Sequence, residues 1–279
     1  MYGGFTMKFV TPKNDVAFKK IFGSEEKTEI LIGFLNAVLG LTGDKEIKQV
    51  NLLNPYQTPK LESLKMTILD IRAVDKRNIT YIIEMQIEHV AGALKRFTYY
   101  TTKAYSSQIE RGEDYPKLNQ VIFIGIFDFN LFEKNTDYLS RHQILNVKTY
   151  QQELKDLEFT FIELPKFKQT ADEVQSLLEK WIYFIKHAED LEVIPNHVDD
   201  SALKTAYEEA DRFGWNKQDL EAYEYRGIRI QDARGALEVA HKQGRVDTAR
   251  RMKAKGYPIA EIAELTSLSI AEIEALTDE

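Results

Sequence analysis

The chain has no cysteine. Disulfides and thiolate metal sites are therefore excluded, and a reducing, cytoplasmic setting is the expectation. Histidine is scarce: the five stand at 89, 142, 187, 197 and 241, without the His-x-x-x-His spacing of a helical zinc site. The sequence holds no P-loop, no G-x-S-x-G and no G-x-G-x-x-G, so the common nucleotide and serine-hydrolase signatures are missing. No apolar run approaches the ~18 residues of a membrane span. The opening "MYGGFTMKF" lacks a basic stretch followed by an apolar one, so it does not read as a signal peptide; Met7 is a second candidate start, with the first six residues as an extension. Positive charge is also in deficit, the net charge being −7. That lowers the prior for a polyanion binder but leaves room for a local basic groove, or for a site whose positive charge comes from a metal ion.

What is present is a globular pattern of 279 residues, enough for one large α/β domain or two modest ones. "TPKNDVAFKKIFG" predicts a helix capped at Asn14 or Asp15 and stopped at Gly23. A second helix is expected over 27–39, with Gly40 at its C′ position. Three strands follow, at "IKQVNLLNPYQ", "LKMTILDIRAVD" and "ITYIIEMQIEH", the last two forming a hairpin about "KRN". A helix is expected over 91–111, ended by Gly112. The almost wholly apolar "KLNQVIFIGIFDFN" reads as a strand buried on both faces, and two more strands are expected at "YLSRHQILNV" and "LEFTFIELP". From about residue 172 only helices are predicted. A boundary is placed near 168–170, giving a domain over 7–169 and a helical C-terminal region over 170–279. The economical architecture is a mixed α/β (α+β) fold, a central sheet flanked by helices.

The chemistry-bearing pattern lies in the hairpin. Glu84 and Gln86 are two apart in a strand and share a face, and a hairpin about "KRN" brings Asp70 near their level. A carboxylate buried among apolar neighbours is costly unless paired or metal-bound, and two together repel. A divalent cation with oxygen ligands removes both penalties, and Mg²⁺ characteristically takes one or two carboxylates plus substrate phosphate. A strand Asp or Glu is also met simply solvated or paired with Lys or Arg, and that reading stays open.

Taken in order, "KNDVAFKKIFG", "ILDIRAVD", "YIIEMQ", "FTYYTTKAYSSQIERGEDY" and "VIFIGIFDF" resemble the PD-(D/E)xK nuclease superfamily. The closer likeness is to its recombination-promoting nuclease and putative transposase branch. The resemblance implies a restriction-endonuclease-like core and a Mg²⁺-dependent DNA endonuclease tied to recombination or transposition, with Mn²⁺ or Ca²⁺ as substitute ions. Carried across by position, Asp70 is the motif's first acid, Glu84 the second, and Gln86 occupies the place where the superfamily carries Lys; that branch itself tends to Gln. The ion would be held by Asp70, Glu84 and the Met85 carbonyl. Because Gln only hydrogen-bonds where Lys supplies charge, another group is expected to help, with Lys19, Lys20 and Lys95 as candidates. The same departure keeps a weakly active or inactive DNA-binding or protein-interaction module as the alternative. DNA is the expected partner, a membrane is not, and a homodimer is left open.

Asp15 could add a carboxylate to the site or serve as a helix cap, and Glu29 is a weaker version of the same idea. Arg96, Tyr100, Lys103 and Ser107 share one helix face that could track a DNA backbone, or be a solvated face. Between His241 and Tyr257, six basic residues, Arg250 and Arg251 among them, stand against the single Asp247 and could meet phosphates. The closing "IAEIAELTSLSIAEIEAL" reads as two short helices joined near Ser267, helix-turn-helix-like in pattern. Its last helix carries Glu272, Glu274, Asp278 and Glu279 and no Lys or Arg, which favours packing or partner binding over groove reading.

Overall fold

The computed structural model describes residues 9–57, 67–133 and 137–276. Six strands form one mixed sheet: β1 (Val50–Leu52), β4 (Ile71–Asp75), β5 (Thr80–Gln86), β6 (Val121–Phe127), β8 (Leu154–Glu163) and β7 (Leu139–Ile144), in that spatial order. β5, β6 and β8 run parallel, while β1, β4 and β7 are antiparallel to their neighbours. A separate pair, β2 (Tyr56–Gln57) and β3 (Thr67–Ile68), lies just before β4.

Alternation along the strands divides the core. Tyr81, Ile83 and Met85 of β5, with Ile122, Ile124 and Ile126 of β6, face α1 (Asp15–Phe22), α2 (Thr28–Leu39), α4 (Leu177–His187) and α5 (Ser201–Ala210). Ile82, Phe123, Phe127 and Phe161 face α3 (Ala93–Ser106) on the other side. The result is a three-layer α/β/α arrangement, and it explains why β6 is apolar at every position. The first layer is strongly aromatic: Phe22 packs on Phe18, Phe34, Trp181 and Phe184.

Local chemistry sets the element ends. Asn14 caps α1, its Oδ1 accepting the Val16 N–H at 2.9 Å. α2 closes at Gly40, whose φ of 65° is left-handed and costs glycine little. In the β4–β5 turn, Asp75 Oδ1 accepts the N–H groups of Arg77 and Ile79, and Asp75 Oδ2 accepts the Tyr81 hydroxyl. This buried clasp fixes the register, setting Ile71 opposite Ile83.

Three expected elements differ. The strand over 64–75 is interrupted: β3 ends at Ile68, the chain bends at Asp70, and β4 begins at Ile71; 64–66 lie outside the described residues. The first strand shrinks to Val50–Leu52, because Tyr56–Gln57 leaves the sheet to pair with β3. α3 stops at Ser106 rather than running to Gly112. The chain is drawn back toward β6 there, where the Gln108 side chain clasps the backbone N–H and C=O of Asn119.

Two compact units emerge, 1–223 and 224–279. α4 and α5 belong to the first and share the core of the sheet, so the helical region expected from 170 onward is divided between the two. α6 (Lys217–Ala254) begins in the first unit. In the second unit, Ala249 of α6 packs with Ile262 of α7 (Ile259–Thr266), Leu268 and Ile273 of α8 (Ile270–Glu274). Ser267 is left-handed at the joint, and Ser269 with Glu272 completes a capping box. Among the described residues, no helix is long and apolar enough to cross a membrane.

Candidate functional site

The hairpin register carries one step past Ile71 and Ile83, so Asp70 meets the Glu84 side chain and the Met85 backbone. The Asp70 N–H donates to Glu84 Oε1 at 3.1 Å, and the Met85 N–H donates to Asp70 Oδ2 at 3.0 Å. The bend at Asp70 makes this possible: with no strand partner there, side chains take the backbone bonds that β4 would have made. In an extended strand a residue's N–H and C=O point to the same side. The Met85 carbonyl therefore looks toward the edge that Asp70 occupies.

Glu84 is 3 % exposed. It lies on the α3 side of the sheet with Ile82 behind it. Its second oxygen accepts from Gln86 Nε2 at 3.0 Å, and Gln86 Oε1 accepts from Arg96 Nη2 at 2.7 Å. On the other flank, Lys19 Nζ of α1 stands 3.2 Å from Asp70 Oδ1. A cleft of about 470 Å³ opens beside Asp70, lined among others by Lys19, Asn54, Pro55 and Arg72.

The electrostatics follow from burial. Desolvation pushes Glu84 up to about 8, the Asp70 carboxylate adds to the rise, and the Asp70 N–H, Arg96 and Lys19 oppose it. Asp70 is also raised by burial, with Lys19 the main opposing charge and Asp15 pushing it further up. The Tyr100 phenol is raised by burial; Arg96 lowers it while Glu84 and Asp70 raise it, which puts the ring in the same field.

Several sequence candidates thus converge: Asp70, Glu84, the Met85 backbone, Gln86, Lys19 and Arg96 are in contact, with Asp15 and Tyr100 within electrostatic reach. Others do not join them. Glu29 and Lys95 are exposed on α2 and α3. Lys20 pairs with Asp219 at 2.6 Å and lies over the Trp215 ring. Lys103 lies over the ring of Tyr99. Arg250 pairs with Asp247, and Arg251 is exposed; both are in the second unit.

Two features escaped the sequence pattern. Arg96 reaches the acids through Gln86 instead of facing outward with Lys103. Its signal was available: Gln86 and Arg96 are ten residues apart, across the turn from β5 into α3. Arg72 lines the cleft, with its Nε buried and unpartnered and burial pulling its pKa down. An arginine two residues after Asp70 in the strand "ILDIRA" is its only mark in the sequence.

Among the described residues, no three His, Asp or Glu side chains cluster as a ready-made metal cage. The donors that do meet are two carboxylates and a main-chain carbonyl, all hard oxygens. Each Glu84 oxygen accepts one hydrogen bond and retains a lone pair. Burial raises both acids by more than Lys19 and Arg96 offset, so a cation bound between them would be stabilising. That set fits an ion such as Mg²⁺, which fills its remaining positions with water and phosphate oxygens.

A family model described as "PD-(D/E)XK nuclease family transposase" matches residues 12–240. Searches among curated proteins and among solved structures found no match.

Proposed function

The chain belongs to the PD-(D/E)XK nuclease family transposases, and from that premise we propose that it is a metal-dependent DNA endonuclease acting in recombination or transposition in the cytoplasm. The observation that carries this reading is the clasp at the open end of the β4–β5 hairpin, where Glu84 accepts the Asp70 N–H and Asp70 accepts the Met85 N–H.

Asp70, Glu84 and the Met85 carbonyl would hold Mg²⁺, or Mn²⁺ or Ca²⁺ in its place. Such an ion, when bound, lowers the pKa of a water and offsets phosphate charge. The protein's own part is positioning. Lys19, beside Asp70 and half exposed at the cleft, offers a cation to a non-bridging phosphate oxygen. Gln86 holds Glu84 in place through Nε2. Hydrolysis consumes one water: its oxygen bonds to phosphorus in line, the bond to the 3′ oxygen breaks, one water proton passes to solvent, and the leaving oxygen is protonated from solvent. The products are a 5′-phosphate and a 3′-hydroxyl.

The test is nicking of supercoiled plasmid with Mg²⁺ or Mn²⁺. Wild-type protein nicks, while Asp70→Ala and Glu84→Gln lose at least about 100-fold. Pure wild-type protein that cuts no DNA with any divalent metal overturns the reading. One observation favours a second reading, a non-cleaving DNA-binding module: the site carries Gln86, not a lysine, between its acids and Arg96. That module would show salt-sensitive DNA binding that survives Asp70→Ala.

A further inference from the structure

We infer that Arg96 is a positioning residue that acts on the candidate site through Gln86, fixing the glutamine amide and bringing to the acids the permanent positive charge that glutamine lacks. For its activity arm the inference rests on the cleavage reading above; its geometric arm does not.

The argument starts from what each group can do. A guanidinium only donates, so the Gln86 atom that meets Arg96 Nη2 at 2.7 Å must be the carbonyl oxygen. The amide nitrogen is thereby turned toward Glu84 Oε2, 3.0 Å away. Of its two N–H groups, one serves Glu84 and the other is left to donate into the site. Arg96 fixes this orientation, since a guanidinium has no acceptor to offer a flipped amide nitrogen.

Arg96 is itself held. Its guanidinium carbon lies 5.4 Å from the Phe97 ring centre and 5.9 Å from that of Tyr100, and its Nε is buried with no partner. A cation bounded by aromatic rings is poorly screened by water. Its field therefore reaches Glu84 and polarises the Gln86 amide, which strengthens the remaining N–H as a donor. Glutamine and arginine together supply an oriented donor backed by a fixed charge. A single lysine at position 86 would combine both in one group. On this account, the glutamine does not mark a decayed site.

The geometric arm is read on metal-free protein. In the wild type, the Gln86 side-chain NH₂ gives a resolved ¹H–¹⁵N pair that exchanges with water at least about tenfold more slowly than a free glutamine amide. In Arg96→Ala this protection is lost while backbone amides of β5 and β6 keep theirs. The activity arm is plasmid nicking: Arg96→Ala loses about 10- to 100-fold, and adding Gln86→Lys recovers at least tenfold of that loss. If Arg96→Ala folds poorly, Arg96→Met, which keeps the stem over the rings, takes both readouts. A Gln86 amide that stays protected without Arg96 overturns the inference. So does full activity in Arg96→Ala, or a double variant no better than the single one. If the wild type cuts nothing, the cleavage reading falls, and the amide protection alone decides the role of Arg96.

Discussion

Gly125 stands beside Glu84 in the parallel register of β5 and β6, on the same face of the sheet. A Cβ at this position would come within 2.5 Å of the Phe127 ring and 3.1 Å of the Phe123 ring. The glycine thus lets two phenylalanines close over the sheet next to the buried acid. Gly125→Ala forces those rings aside and is expected to cost about 1–3 kcal/mol. A thermal melt reads this as a fall of roughly 2–4 °C per kcal/mol. An unchanged melting temperature would mean that the rings relax freely.

Glu84 makes the metal-free protein sensitive to pH. Its folded pKa of about 8 lies above the ordinary 4.5, so between those values the native state binds the extra proton. Stability therefore falls as pH rises from about 4.5 to about 8, and the penalty is complete above that window. Glu84→Gln cannot ionise. It should flatten this part of the profile and be more stable than the wild type at pH 9. Urea unfolding at pH 5, 7 and 9 in the presence of chelator makes the comparison; parallel profiles for the two proteins would refute it.

How much of this was legible beforehand depends on the range of the interaction. The strand period put Glu84 and Gln86 on one face, and the "KRN" turn placed Asp70 level with them, because hairpin register is local. The bend at Asp70 was not legible. It arises from competition between a straight β4 and the pairing of Tyr56–Gln57 with Thr67–Ile68, a partner choice that no local propensity encodes. The link from Arg96 to Gln86 was missed for a related reason. Spacing put Arg96, Tyr100 and Lys103 on one helix face, but only the docking of α3 on Phe123 and Phe127 decides what that face meets. Helices are expected from about residue 172, yet the membership of α4 in the sheet's core depends on distant partners such as Phe22 and Phe34.

The basic run near the C-terminus is not one surface. Lys253 Nζ donates to the carbonyls of Ile273, Glu274 and Leu276, capping α8, whereas Arg251 and Lys255 are exposed. Lys253→Ala is therefore expected to destabilise the second unit by about 1 kcal/mol. Its effect on DNA affinity should be no larger than that loss of folding explains. Arg251→Ala and Lys255→Ala should leave stability unchanged, and each should reduce the slope of log affinity against log salt by about 1. Fluorescence anisotropy with a labelled duplex at several salt concentrations separates these roles. Equal salt slopes in wild type and both surface variants would remove this run from the DNA-binding surface.

Lys19 and Lys20 are neighbours on α1 with different tasks. Lys19 faces Asp70 at 3.2 Å, while Lys20 is occupied by Asp219 at 2.6 Å. Burial already raises Asp70, and Lys19 is the main charge opposing that rise. Lys19→Ala should raise the carboxyl further. If cleavage needs Asp70 ionised, the acid limb of the pH–rate profile moves to higher pH, and the rate at neutral pH falls by about 10- to 100-fold. Stability should change little, since the ammonium is half exposed. Lys20→Ala should show the opposite pattern: a loss of up to about 1 kcal/mol in stability with an unshifted pH–rate profile. A profile that moves equally in both variants would trace the effect to the general charge of α1 and deny Lys19 a specific hold on Asp70.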